Sequence, residues 1–226
     1  DSKLRLKLVQ VLDEATQTPM NVVYGEDVAK MVDDDIAYLE SIYRKMIFGG
    51  EDGKMIAEPG IVSKIERRIY WNNKNEKHKT AVLEALRKDI LKDDFYKLFR
   101  LLVGDPTDYR EEEGWSVAEK KRDEEIDGII NLVADDQLDE WFGKFNKIAS
   151  QYELVDEWKF TSFKNLLIRL AKAKPQISEK LLEKSLANNS PFKKFIGNFL
   201  DGFRFVYNFD SWDRCVARMV DLKDAQ

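Results

Sequence analysis

Residue types that usually carry catalysis or hold metals are scarce in this chain. It contains one histidine, His78, and one cysteine, Cys215. Structural zinc sites draw four ligands, mostly His and Cys, so these two residues cannot build one. No HExxH pair is present. A Ser-His-Asp relay would have to use His78, which stands in the polar run Asn75-Glu76-Lys77-His78-Lys79. No GxSxG turn exists to present a serine to it. His78 therefore reads as a surface residue. The run Gly49-Gly50-Glu51-Asp52-Gly53-Lys54 has the composition of a phosphate loop but not its spacing. Phe48 stands where the first glycine belongs, and Met55 where a metal-binding Ser or Thr belongs. Asp33-Asp34-Asp35 lacks the alternate spacing, central glycine and distal glutamate of a calcium loop. Glu119-Lys120-Lys121 has the ExK spacing of some nucleases, but it lies in a helical pattern without a strand partner. The expectation is a segment with no catalytic residue, no metal site and no cofactor.

Charge gives the one binding signal. Residues 105–140 carry 14 acidic and 4 basic side chains, whereas residues 159–200 carry 9 basic and 2 acidic ones. The candidate binding face comprises Lys159, Lys164, Arg169, Lys172, Lys174, Lys180, Lys184, Lys193 and Lys194. Such a face can track a phosphate backbone or meet an acidic protein. Two stretches of opposite sign in one chain can equally attract each other. The aromatic residues between the cations, Phe160 and Phe163, fit a buried stripe better than a base-stacking platform, and the whole chain is acidic, with a net charge of −5.

Helices must position these side chains. Residues 3–17 alternate basic and apolar side chains, which suggests a strand, but Leu4, Leu8, Val11 and Leu12 also fit a helix, the reading preferred in an otherwise helical chain. Helical spacing recurs through Val28, Ile36, Leu39, Tyr43 and Ile47. Gly49-Gly50 ends that second helix, because glycine tolerates the left-handed conformation. Residues 49–60 form a loop, with a short hairpin expected around Asp52-Gly53. Further helices are predicted through Ile61, Ile65 and Ile69, through Val82, Leu86 and Ile90, and over residues 93–103, with Asp93 or Asp94 as cap. Asn72 to Lys79 reads as a connection. Residues 105–114, with Asp105-Pro106 and Glu111-Glu112-Glu113, form the clearest break. From Trp115 onward the helix starts are regular. Val117, Ile126, Ile129 and Ile130 mark one helix, and Asp135 or Asp136 would cap the next, carrying Leu138, Trp141, Phe142, Phe145 and Ile148. Phe160, Phe163, Leu167 and Leu170 follow. Pro175 and Ser190-Pro191 each suit a first helical turn. Asp210 would begin the last helix, whose apolar face is Trp212, Val216, Met219 and Val220.

With 43% apolar and 12% aromatic residues the chain is long enough to bury a core. One cysteine excludes an internal disulfide and gives no sign of an oxidising compartment. No apolar run is long enough to span a membrane. The chain lacks an initial Met and a signal-peptide pattern, so it is expected to be a cytoplasmic fragment of a longer protein.

From Gly114 onward the texture resembles the degenerate helical repeats of the HEAT and tetratricopeptide type. The run Trp115-Ser116-Val117-Ala118-Glu119-Lys120-Lys121-Arg122-Asp123-Glu124-Glu125-Ile126, followed by Leu138 to Ala149, resembles the tail of large bacterial multidomain proteins. There a nucleoside-triphosphatase of the STAND class, or another effector, precedes a helical array. The resemblance covers about half the chain and implies a sensor or scaffold segment whose enzyme lies elsewhere. The expected architecture is all-α: an α-solenoid of stacked helical hairpins, with residues 1–104 an N-terminal helical region, 105–114 a soft boundary and 115–226 the array. The expected function is non-catalytic recognition of a protein partner, or of other domains of the same parent chain. The alternative is a nucleic-acid-binding solenoid using the basic face.

Overall fold

A computed structural model describes residues 2–15, 25–49, 54–75, 81–104, 114–187, 190–205 and 209–224. All regular structure among them is helical. The chain divides into two compact units, residues 1–98 and 99–226.

The first unit contains α1 (Ser2–Ala15), α2 (Glu26–Phe48), α3 (Pro59–Asn75) and α4 (Ala81–Ile90), and α5 (Asp94–Leu102) begins within it. α1 packs on α3, α2 on α4, and α3 on α4. The α2 stripe is buried through Leu39, Tyr43 and Ile47. Gly49 ends this helix in the left-handed conformation, φ 65°, and its N–H donates to Lys45 O at 2.9 Å. Asp34 and Asp35 are exposed on the same helix. Asp93 caps α5 by accepting a hydrogen bond from the Tyr96 N–H at 2.7 Å. Glu66 is buried on α3 and accepts from Arg87 Nε at 2.6 Å, while Arg87 also lies over the Tyr70 ring.

Several sequence expectations shift here. α3 continues to Asn75, past the connection expected from Asn72. On α4, Leu86 and Ile90 are buried as the pattern predicts, but Leu83 rather than Val82 completes the face. α1 is helical, but Leu4, Leu8 and Val11 are exposed and Val9 is the buried residue. His78, Asp52-Gly53 and Glu111-Glu112-Glu113 lie outside the described residues.

The second unit contains the end of α5, then α6 (Trp115–Leu132), α7 (Leu138–Ala149), α8 (Thr161–Ala173), α9 (Pro175–Ala187), α10 (Ile196–Phe205) and α11 (Phe209–Asp224). Short 3-10 turns lead into α7, α8 and α10. Packing skips one helix at a time: α6 on α8, α7 on α9, α8 on α10 and α9 on α11. α8, α9, α10 and α11 also touch their chain neighbours. The core is aromatic. Phe145, Phe160, Phe163, Phe192, Phe195 and Phe199 are all buried, and Phe163 meets Phe195 edge-on with centroids 4.9 Å apart. Edge-to-face contacts of this kind add to what burial alone provides. Gly202 lets α10 approach α8 closely, since a Cβ there would stand 2.6 Å from the Ile168 carbonyl oxygen.

Ser190 is the cap the sequence suggests: its Oγ accepts from the Phe192 N–H, and Pro191 follows at the first position. Asp135 and Asp136 do not cap α7 directly. They occupy a 3-10 turn, Asp135–Gln137, ahead of it. On α11 the buried side chains are Ser211 and Cys215, with Trp212 and Val216 half-buried and Val220 exposed. Of the apolar face expected on this last helix, the Met219 side chain lies outside the described residues, and Trp212, Val216 and Val220 are not fully covered.

The polar residue that organises the start of this unit is Arg122, which is 2% exposed. Its Nε donates to Leu101 O at 2.6 Å, and its terminal nitrogens donate to Gly104 O at 2.8 Å and Arg100 O at 3.1 Å. These are carbonyls at the end of α5, which lack intrahelical partners. A cation at a helix C-terminus also opposes the negative end of the helix dipole. Gly104, at φ 117°, adds an N–H bond to Lys159 O at 2.8 Å. This fastening accounts for residues 99–104 belonging to the second unit, six residues before the break read from the sequence.

Candidate functional site

All nine cations of the basic stretch are described, and they lie on α8, on α9, on the turns before α8 and α10, and, for Lys174, at the junction of α8 and α9. Their partners are mostly acids or carbonyls of the preceding helices. Arg169 reaches Asp123 at 3.2 Å and also Asp127, both on α6. Lys174 donates to Asn131 O at 2.9 Å and Val133 O at 2.7 Å, so it caps the end of α6. Lys180 binds both oxygens of Asp135, at 2.6 and 2.7 Å. Lys184 binds Asp139 on α7, and Lys194 binds Glu153 at 3.2 Å. Each of these partners lies between 41 and 46 residues earlier in the chain. The acidic and basic stretches thus face each other across the α6–α8 and α7–α9 contacts.

The remaining four sit differently. Lys159 is 3.8 Å from Asp156 and lies near the Trp158 ring. Lys164 pairs with Glu157 at 3.0 Å. Hydrogen bonds from Tyr152 and Lys164 hold the Glu157 carboxyl below its usual range. Lys193 lines a shallow cleft with Ser150, Glu153, Pro191 and Lys194. Lys172 lies over the face of Phe205, 4.0 Å from its centroid. The structure therefore brings five of the nine cations, Arg169, Lys174, Lys180, Lys184 and Lys194, into a seam with earlier parts of the chain.

A second cluster joins α9 and α11. Arg214 Nε and Nη2 donate to the two oxygens of Glu179 at 3.1 and 2.7 Å, and the Ser211 hydroxyl donates to the same carboxylate. Burial pushes the Glu179 carboxyl upward, but the hydrogen bonds from Arg214 and Ser211 outweigh it, leaving the pKa below the usual range. Next to this cluster, Cys215 is buried. Burial, together with the charges of Glu179 and Glu183, pushes its thiol up to about 11. A thiol held protonated in this way is a packing residue at neutral pH, not a nucleophile.

Sequence reasoning passed over a second cleft of this unit. Asp201, Arg204, Phe205 and Phe209 line a cleft of about 670 Å³ where α10 gives way to α11. Phe205 is 65% exposed and Phe209 52% exposed. The available signal was phase. Phe199 and Phe203 belong to the buried α10 stripe, and Phe205, two residues on, falls on the opposite side of a helix.

Among the described residues there is no group of three or more His, Cys, Asp and Glu side chains placed to hold a metal ion. None of their helices is long and apolar enough to cross a membrane. No protein-family model, curated protein or solved structure matches the chain.

Proposed function

We propose that this chain is a non-catalytic recognition or scaffold segment of a larger protein, and that residues 115–226 form a stack of helical hairpins. The observation that carries the reading is the seam of α8 and α9 against α6 and α7. Cation and partner are separated there by 41 to 46 residues. Helical repeats of the HEAT and armadillo kind recur every ~40–47 residues, so one repeat step brings a side chain beside its counterpart. The skip-one packing of α6 through α11 supports the same reading. Stacks of this kind offer extended surfaces on which partners bind. The resemblance of the 115–149 region to arrays that follow effector domains supports a role as the binding part of a larger chain.

Six of the nine candidate cations already face a carboxylate. A phosphate backbone would have to compete with these acids, which weighs for a protein partner over nucleic acid. Capture on the immobilised chain, with chemical crosslinking, from a lysate of its native cells tests the proposal. The expected result is a saturable protein partner that survives nuclease treatment. A gel-shift titration at low and at physiological salt tests the alternative. A shift that weakens steeply with salt would replace the protein reading with nucleic-acid binding, since phosphate contacts release counterions.

A further inference from the structure

Lys172 and Arg204 stand apart from the other cations of the second unit's basic region. Neither has a carboxylate partner among the described residues, and the contact of Lys172 is with the Phe205 ring. Both lie beside the cleft at the α10–α11 junction, where Phe205 and Phe209 are exposed. Asp201 is the carboxylate of the described lining. The apolar surface does not stop there. Phe209, Trp212, Val216 and Val220 fall along one side of α11, and none of the four is buried. Exposed aromatic rings flanked by cations that meet no carboxylate among the described residues form a specific chemical surface. They offer apolar contact to a ring or a branched side chain, and charge-assisted hydrogen bonds to carboxylates next to it.

We propose that this cleft docks a short acidic peptide segment of a partner protein. An aromatic or leucine anchor rests on Phe205 and Phe209, and its flanking carboxylates meet Lys172 and Arg204. The charge argument sets the class of partner: with two cations at the rim against Asp201, an acidic segment gains and a basic one is repelled. This proposal rests on the recognition reading above and gives it a location.

The test uses the whole chain and a fluorescein-labelled peptide, Glu-Asp-Glu-Phe-Glu-Asp-Leu-Asp-Glu, followed by fluorescence anisotropy. A second peptide with lysine in place of every acid is the comparison. The acidic probe is expected to bind and the basic one not. Phe205→Ser and Arg204→Glu should each weaken binding at least ~10-fold, as central aromatic and arginine contacts do. Lys120→Glu, on α6, should leave it unchanged. Phe205 and Arg204 are both exposed, so neither change disturbs the core, and circular dichroism verifies this. Binding of both probes alike, or binding indifferent to Phe205→Ser and Arg204→Glu, overturns the proposal. So does a concentration-dependent dimer in sedimentation that Phe205→Ser abolishes, which would make a second copy the occupant. Displacement of the probe by a short single-stranded RNA would assign the cleft to nucleic acid instead. If a cellular partner is captured equally by wild type and Phe205→Ser, the cleft fails while the recognition reading stands. If no partner is captured at all, the broader reading fails.

Discussion

Arg122, itself buried, donates to the Leu101 carbonyl in a buried contact and to the Arg100 and Gly104 carbonyls in part-buried ones. In Arg122→Ala these acceptors lose their donor. An unsatisfied buried polar group costs about 1–3 kcal/mol, so a loss of about that size is expected in urea denaturation of the second unit. Arg122→Lys should recover only part of this, because an ammonium cannot present the planar fork that reaches several carbonyls together. Glu179 makes a second residue-scale prediction. Its pKa is depressed by Arg214 and Ser211 relative to 4.5. A depressed carboxyl stabilises the fold fully above its unfolded pKa, and that contribution is lost as pH falls through the folded value. Melting temperature measured from pH 6 downward should therefore fall less steeply in Glu179→Gln than in wild type once the pH passes below 4.5. Equal slopes would show that the cluster contributes nothing to acid stability. Neither residue was readable as structural from sequence. Arg122 lies in a run of charged residues, where the reasonable expectation is solvent, and its acceptors are backbone atoms that no side-chain pattern reveals.

The helices themselves were largely legible, because their ends carry local chemistry. Gly49 needs a positive φ, Asp93 and Ser190 accept from backbone N–H groups, and Pro191 fits a first turn. What sequence did not settle was which way each helix faces. Val82 against Leu83, and Val117 against Ala118, are one-residue choices decided by the neighbouring helix. The same holds for the candidate site. The nine cations stand out as a cluster in the sequence, but the partners of five of them lie some forty residues away and depend on which helices stack. The described lining of the Phe205 and Phe209 cleft comes from two helices, whose juxtaposition no local pattern reveals. At this scale, the Lys184 and Asp139 pair allows a direct test of packing register. Asp139 is largely solvent-facing and Lys184 half-buried, and pairs at the surface contribute about 0.2–1 kcal/mol. Lys184→Asp and Asp139→Lys should each destabilise by about that amount, and the double exchange should restore most of it. A double-mutant cycle with no coupling would mean that α7 and α9 do not meet in this register.

Across the chain, the division of charge takes on a structural meaning. Four acids of residues 105–140, Asp123, Asp127, Asp135 and Asp139, meet cations of residues 159–200 where helices one apart in the chain pack together. Raising salt should loosen the second unit slightly while leaving its aromatic core intact, because screening acts on exposed pairs and not on buried apolar area. Thermal melts of residues 94–226 at low and high salt would measure this. The fragment starts at 94 so that α5 keeps its cap and Arg122 keeps its acceptors.

That fastening also has a topological consequence. Residues 104 and 114 flank a stretch whose two sides are already tied together by Arg122 and by the Gly104 to Lys159 bond. Those contacts are made by residues outside the stretch, so they do not require the chain to be continuous across it. A site-specific protease sequence placed at 108 and cut after folding should leave two polypeptides that elute together under native conditions and separate in denaturant. The same position should accept an inserted domain, so the chain has a natural seam for splicing in new sequence.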